Sequence, residues 1–271
     1  MSGYRLCRIP AAKNPYFIEN ISTNVYTIEE LCYYMYHNTA LLDATFVGSG
    51  LTRWIASELG MKNTAMAMEK AFLDNKSLAG FLTPVFEETG YLNPAEMKAY
   101  RQELDQLLHD PVWVRMKKKG DALVHYGKVI AAERIYRQAL DMAELLDPAE
   151  QEEPQEVFEE KRRAFESRVW HNIGVAAMKM LDYDEAVNAF QKALDLLESE
   201  ENKETLLLAY GIAKPKERYL EMLQKSGVSR EEQEQLQKRL DGADALVTEL
   251  PQDPDTYVDL LTVKYHNATD S

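Results

Sequence analysis

Apolar residues recur along most of this chain at the three- and four-residue spacing of an amphipathic helix, and that pattern divides the sequence into successive helices. In TIEELCYYMYHNTALLD, Thr27 and Glu30 form a capping-box start, and Ile28, Leu31, Cys32 and Met35 line one face, which Tyr33, Tyr34 and Tyr36 widen. A second helix is expected over 50–59, with Leu51, Trp54, Ile55 and Leu59 aligned. A third is expected over 64–73, where Met61, Ala65, Met68 and Phe72 share a face, and a fourth over 78–88 around Phe81, Leu82, Val85 and Phe86. Pro84 is expected to kink the fourth or to delay its start, and Gly90 ends it. Asn93-Pro94-Ala95-Glu96 supplies an N-cap, a first-turn proline and an acidic third position for a fifth helix running to Leu108. No strand-period alternation is visible in this half. Residues 1–25 read as irregular, with Tyr16, Phe17, Ile18 and Ile21 holding them against the body.

Asp110-Pro111 breaks the chain before a second region, centred on residues 167–200. Two antiparallel helices are expected there. The first carries Trp170, Ile173, Gly174 and Ala177, the second Ala186, Phe190 and Ala193, and Asp182-Tyr183-Asp184 turns the corner. Gly174 and Ala186 are small enough for two helices to approach, and Trp170 and Phe190 fill the space beside them. Gly120, Ala132, Tyr136 and Ala139 repeat the spacing of Gly174, Ala186, Phe190 and Ala193, each 54 residues earlier. The earlier copy is weaker, with Met116 in place of the tryptophan and Lys119 in place of the leucine.

These residues resemble the tetratricopeptide repeat, whose pattern is W-x2-L-G-x2-Y followed by Ala, Phe and Ala. Trp170, Gly174, Tyr183, Ala186, Phe190 and Ala193 carry the likeness; Ala177 departs from it and the closing proline is missing. The usual period is about 34 residues, so roughly 20 extra residues separate the copies. They are assigned to 147–166, as an acidic linker and an extended first helix. Residues 204–213 and 216–225, with Pro215 at the corner, read as a degenerate further pair, and 229–250 as a longer helix with a polar outer face. The last segment, 251–271, reads either as a short docked element or as an exposed interaction segment. Separately, PYFIENISTNVYTIEELCYYMYHNTALLD resembles a segment of uncharacterised bacterial proteins, which brings no activity with it.

The repeat resemblance implies a concave groove lined by the first helix of each pair, where peptides or partner helices bind. The positions it assigns to that groove are Arg168, His171, Asn172, Val175 and Lys179 in the central repeat. In the earlier copy they are Val114, Lys117, Lys118, Asp121, Val124 and His125. One subclass of the family clamps a peptide's terminal carboxylate with Lys and Asn, and Lys117 and Asn172 match such positions. Asp121 stands where a clamp asparagine would be and would repel the carboxylate.

Composition narrows the picture further. A hydrophobic content of 45% supports a packed core, and no apolar run approaches the ~20 residues of a membrane span. The opening residues lack a signal-peptide core, so a cytoplasmic location is expected. Cys7 and Cys32 are too few for a disulfide framework. The net charge of −14 opposes general nucleic-acid binding. The basic runs at Arg115, Lys117, Lys118 and Lys119, and at Lys161, Arg162, Arg163 and Arg168, read as solvated helix faces.

No histidine has a metal-ligand partner at i+4, and no phosphate-binding, dinucleotide or nucleophile-elbow motif occurs. Tyr26, Tyr33, Tyr34 and Tyr36 read as packing rather than a ligand cage. No catalytic, cofactor or metal residues are assigned. The sequence therefore describes an all-α protein: a helical bundle over 1–110, tetratricopeptide-like repeats over 111–250, and a tail. Its expected function is non-catalytic protein–protein interaction through the groove, as adaptor or assembly scaffold, binding a protein or peptide segment and neither nucleic acid nor membrane. The alternative is a peptide- or ligand-responsive regulator with the bundle as output. Self-association is left open.

Overall fold

The structure, a computed structural model, describes residues 10–42, 46–75, 77–146 and 153–248, together with 256, 258–259 and 261–263. Its twelve α-helices, counted over those residues, make the protein all-α. The one departure is a small antiparallel hairpin, β1 (Tyr16–Ile18) paired with β2 (Thr23–Val25), with Tyr16 opposite Val25. The sequence reading had no strand here. Three residues per strand are too few to display a two-residue period, and only Ile18 and Val25 of the pair are buried.

The N-terminal helices follow. α1 (Ile28–His37) starts at the expected capping box, in which Thr27 accepts from the Glu30 N–H and Glu30 accepts from the Thr27 N–H. α2 is Ser49–Ser57, α3 Lys62–Asn75, α4 Leu78–Thr89 and α5 Pro94–His109. α4 begins at Leu78 on a Ser77 cap and runs through Pro84, so the proline does not delay its start. Asn93 caps α5 through a full capping box. Inside this bundle the Tyr100 hydroxyl donates to the Met35 carbonyl at 3.2 Å, fastening α5 to α1. The tyrosines of α1 divide: Tyr34 is buried, whereas Tyr33 is exposed and does not widen the core face as expected.

The second region is a run of paired helices. α6 (Val112–His125) pairs with α7 (Val129–Glu144), and α8 (Gln155–Lys179) with α9 (Tyr183–Leu196). α10 (Glu200–Ala213) and α11 (Lys216–Lys225) form the next pair, and α12 (Arg230–Thr248) lies against α10. The insertion is accounted for in part by α8, which has 25 residues. The linker expected over 147–154 lies mostly outside the described residues. One apolar core runs from Ala12 in the N-terminal segment through Phe86 and Leu104 to Val169 and Ile173 of α8. Trp113 of α6 meets Phe165 of α8 edge-to-face, with ring centroids 4.3 Å apart.

The paired helices approach closely for the reason their spacing suggested. A β-carbon on Gly174 would lie 2.5 Å from Cε1 of Phe190, and one on Gly120 would lie 2.4 Å from Cε1 of Tyr136. In each pair an aromatic ring occupies the volume a side chain would take. The corner of the central pair falls slightly earlier than expected: Asp182 is the N-cap of α9, and Leu181 makes the turn with φ +62°. The matching position of the first pair is Gly127, with φ +69°. The left-handed region costs a non-glycine residue about 1–2 kcal/mol, and the Leu181 side chain buries little in return, being 70% exposed. Leu181→Gly is therefore expected to stabilise the protein by about 1 kcal/mol, read as a higher denaturant midpoint at unchanged slope. An unchanged or lower midpoint would contradict this account of the turn.

Candidate functional site

The first helices of the pairs, α6, α8 and α10, are joined side chain to side chain. Asp121 of α6 is the centre of the first junction. It accepts from Lys117 Nζ, from the Tyr136 hydroxyl and from Asn172 Nδ2, each at 2.7 Å. Burial raises the Tyr136 hydroxyl pKa, and its hydrogen bond to Asp121 raises it further, so the phenol stays a donor. The second junction is built around Asn202 of α10. Its Nδ2 donates to Ser167 Oγ, to the Ala193 carbonyl and to the Leu197 carbonyl, while its Oδ1 lies 3.2 Å from His171 Nδ1. The His171 ring also meets Phe190 edge-to-face.

These contacts sort the groove positions into two groups. Lys117, Asp121, Asn172 and His171 are tied to one another or to α10. Lys117 and Asn172, the two clamp-like residues, both spend their donors on Asp121. A terminal carboxylate arriving there would have to displace an anion already in place. The remaining positions, apart from Lys118, make no side-chain ion pair among the described residues. Arg168, midway along α8, and Lys179, its last residue, are exposed, and neither has a carboxylate partner among the described residues. Val124 and Val175 are half-buried, packed on the first and second apolar clusters respectively. His125 is exposed and stacks edge-on against Tyr126.

Much of the two basic runs is neutralised nearby. Lys118 pairs with Asp110 at 2.6 Å, Lys161 with Glu153, and Arg162 with Glu166 at 3.6 Å. Pairs of this kind near the surface contribute little stability.

Two features escaped the sequence reading. Asn202 carries no pattern signal, because its partners come from α8 and α9. Trp170, expected to fill space between the helices, is only half-buried and forms a platform under two cations. Lys192 Nζ lies 3.9 Å from its ring centroid and the Arg137 guanidinium 5.9 Å. Beside it, between α7 and α8, Asp141, Glu144, Arg162 and Glu166 line a cleft of about 460 Å³. Burial raises the Glu166 pKa; Arg162 opposes that shift and Glu144 adds to it.

Residues 167–199 match the tetratricopeptide repeat family. The matched span is α8 from Ser167 onward together with α9, so the central pair is a tetratricopeptide-like repeat. No curated protein matches the chain. Repeats of this kind are in general protein–protein interaction modules. Among the described residues, no group of three His, Cys, Asp or Glu side chains is placed to hold a metal ion. Among the same residues, no helix is long and apolar enough to cross a membrane.

Proposed function

We propose that the inner face of α6, α8 and α10 binds a segment of a partner protein, and that the protein works as a cytoplasmic adaptor or assembly scaffold without catalysis. The observation that carries this reading is the α8 face itself. Two exposed cations, Arg168 and Lys179, flank the half-buried Val175 on a chain whose net charge is −14. A complementary segment places an apolar side chain against Val124 and Val175 and acidic residues at either end. Affinity then comes from the apolar anchor, while the rim charges set association rate and salt dependence. Residues 1–110 serve as the bundle that closes one end of the repeats, and 111–250 as the repeat region.

The test is retention of partner proteins from native cytoplasm by wild type and by Arg168→Glu/Lys179→Glu. The double variant leaves both polar junctions intact. Retention by wild type that falls about tenfold in the variant, and that weakens with added salt, is the expected result. A partner held equally by both proteins would move the interface off this face.

A further inference from the structure

A second site lies where the bundle meets the repeats. The 3₁₀ turn Thr39–Leu41 and α6 enclose, together with α3, α4 and α5, a cavity of about 460 Å³. Leu42, Phe72, Leu78, Leu107 and Met116 are among its apolar lining, and Leu108 and Val112, 47% and 45% exposed, stand at its open side. Among the described residues, the polar side chains in the lining are Arg115 and Lys119, both cationic. Val112, Arg115, Met116 and Lys119 recur at helical spacing, so α6 turns one face to this cavity and another, with Lys117, Asp121 and Val124, to the groove.

Arg115 is the informative residue. Its Nε is buried without a hydrogen-bond partner, and among the described residues its guanidinium makes no ion pair. A carboxylate set against the guanidinium would give this cation in a mostly apolar wall the counter-charge it lacks among the described residues. The size and the mostly apolar walls are those of a small-molecule site. Among the described residues, the lining side chains include no serine, threonine, asparagine, glutamine or carboxylate. A peptide strand would bring a row of amide groups into walls that offer them few partners, at a cost for each group left unpaired. A single alkyl chain has its polar atoms at one end only.

We propose that this cavity binds an alkyl carboxylate of medium chain length, with the chain against Phe72, Leu78 and Met116 and the carboxylate on the Arg115 guanidinium. The site is separate from the groove, so its occupancy does not depend on the protein–protein reading.

The experiment is calorimetric titration of the full chain with decanoate and, in parallel, with decanol, which has the same chain and no charge. Wild type is expected to bind decanoate about tenfold or more tightly than decanol, the worth of one charge-assisted hydrogen bond. Arg115→Met, which keeps the length of the side chain, is expected to remove that preference while decanol binding persists. Ala40→Leu, which fills the cavity from its wall, is expected to abolish both at an unchanged melting temperature. Equal affinity for the two ligands in wild type, or no saturable binding of decanoate, would overturn the proposal. So would retention of the carboxylate preference by Arg115→Met.

Discussion

Gly174→Val is expected to destabilise the protein by about 3 kcal/mol, the upper end of the cost of overpacking. A glycine inside a helix normally invites replacement, because alanine in its place gains up to about 1 kcal/mol from propensity alone. Here the sign reverses. The first added carbon would lie 2.5 Å from the Phe190 ring, and that ring is 2% exposed, in one apolar cluster with Ala186, Val187 and Leu206. Gly174→Ala is therefore expected to be destabilising as well, by about 1–2 kcal/mol after the propensity gain. Gly242 of α12 is the contrast, since a β-carbon there would meet nothing within 4 Å. Gly242→Ala should stabilise by up to about 1 kcal/mol. Chemical denaturation of the three variants checks the set. Pairing Gly174→Ala with Phe190→Leu tests the cause directly, because the smaller side chain should recover much of the loss. A stabilising Gly174→Ala would show that the ring yields, and the account of helix approach would fall.

The second large effect is expected at Asp121. Asp121→Ala should cost about 2–3 kcal/mol, because it leaves the buried Tyr136 hydroxyl and the Asn172 amide without their acceptor. Asp121 is partly open to water, with 40% of its side chain exposed, so the lower end of that range is the better expectation. The protein contains its own design for the repair. The central repeat has Val175 and Phe190 where the first has Asp121 and Tyr136, each pair 54 residues apart. Asp121→Val with Tyr136→Phe gives the first repeat the residues of the central one at both positions. The double variant is expected to be more stable than Asp121→Val alone by about 1–2 kcal/mol, a coupling that a double-mutant cycle measures. Strict additivity of the two changes would mean that the hydroxyl and the carboxylate do not act as a unit.

Much of the fold was legible because it is written locally. Thr27 with Glu30, and Asn93 with Glu96, announce helix starts through bonds made within four residues. The Gly-Ala-aromatic-Ala spacing of the two repeats could be read as close approach, and the rings of Tyr136 and Phe190 do occupy the glycine positions. The hairpin was not legible, since three residues cannot show a period. The groove was legible only as a set of positions. Which of them is free depends on partners that arrive from elsewhere: Asn172 reaches Asp121 across 51 residues of chain, and His171 reaches Asn202 across 31. One signal was present and passed unused. Between the two copies, valine replaces Asp121 and phenylalanine replaces Tyr136 together, as a hydrogen-bonded pair requires. The cavity beside Arg115 left no such trace, because its walls come from a turn and several helices far apart in sequence.

The two polar junctions also bear on how such a chain can grow. Repeat arrays are often regarded as interchangeable units that lengthen by duplication. A tandem copy of α8 and α9 would set the second Asn172 opposite a valine, the residue that stands at the Asp121 position in the central repeat. The amide would face an apolar side chain, and His171 of the leading copy would face a helix that carries no Asn202. Each unit here is keyed to its own neighbours, so the order and number of repeats are fixed by side-chain chemistry as firmly as by the helices themselves.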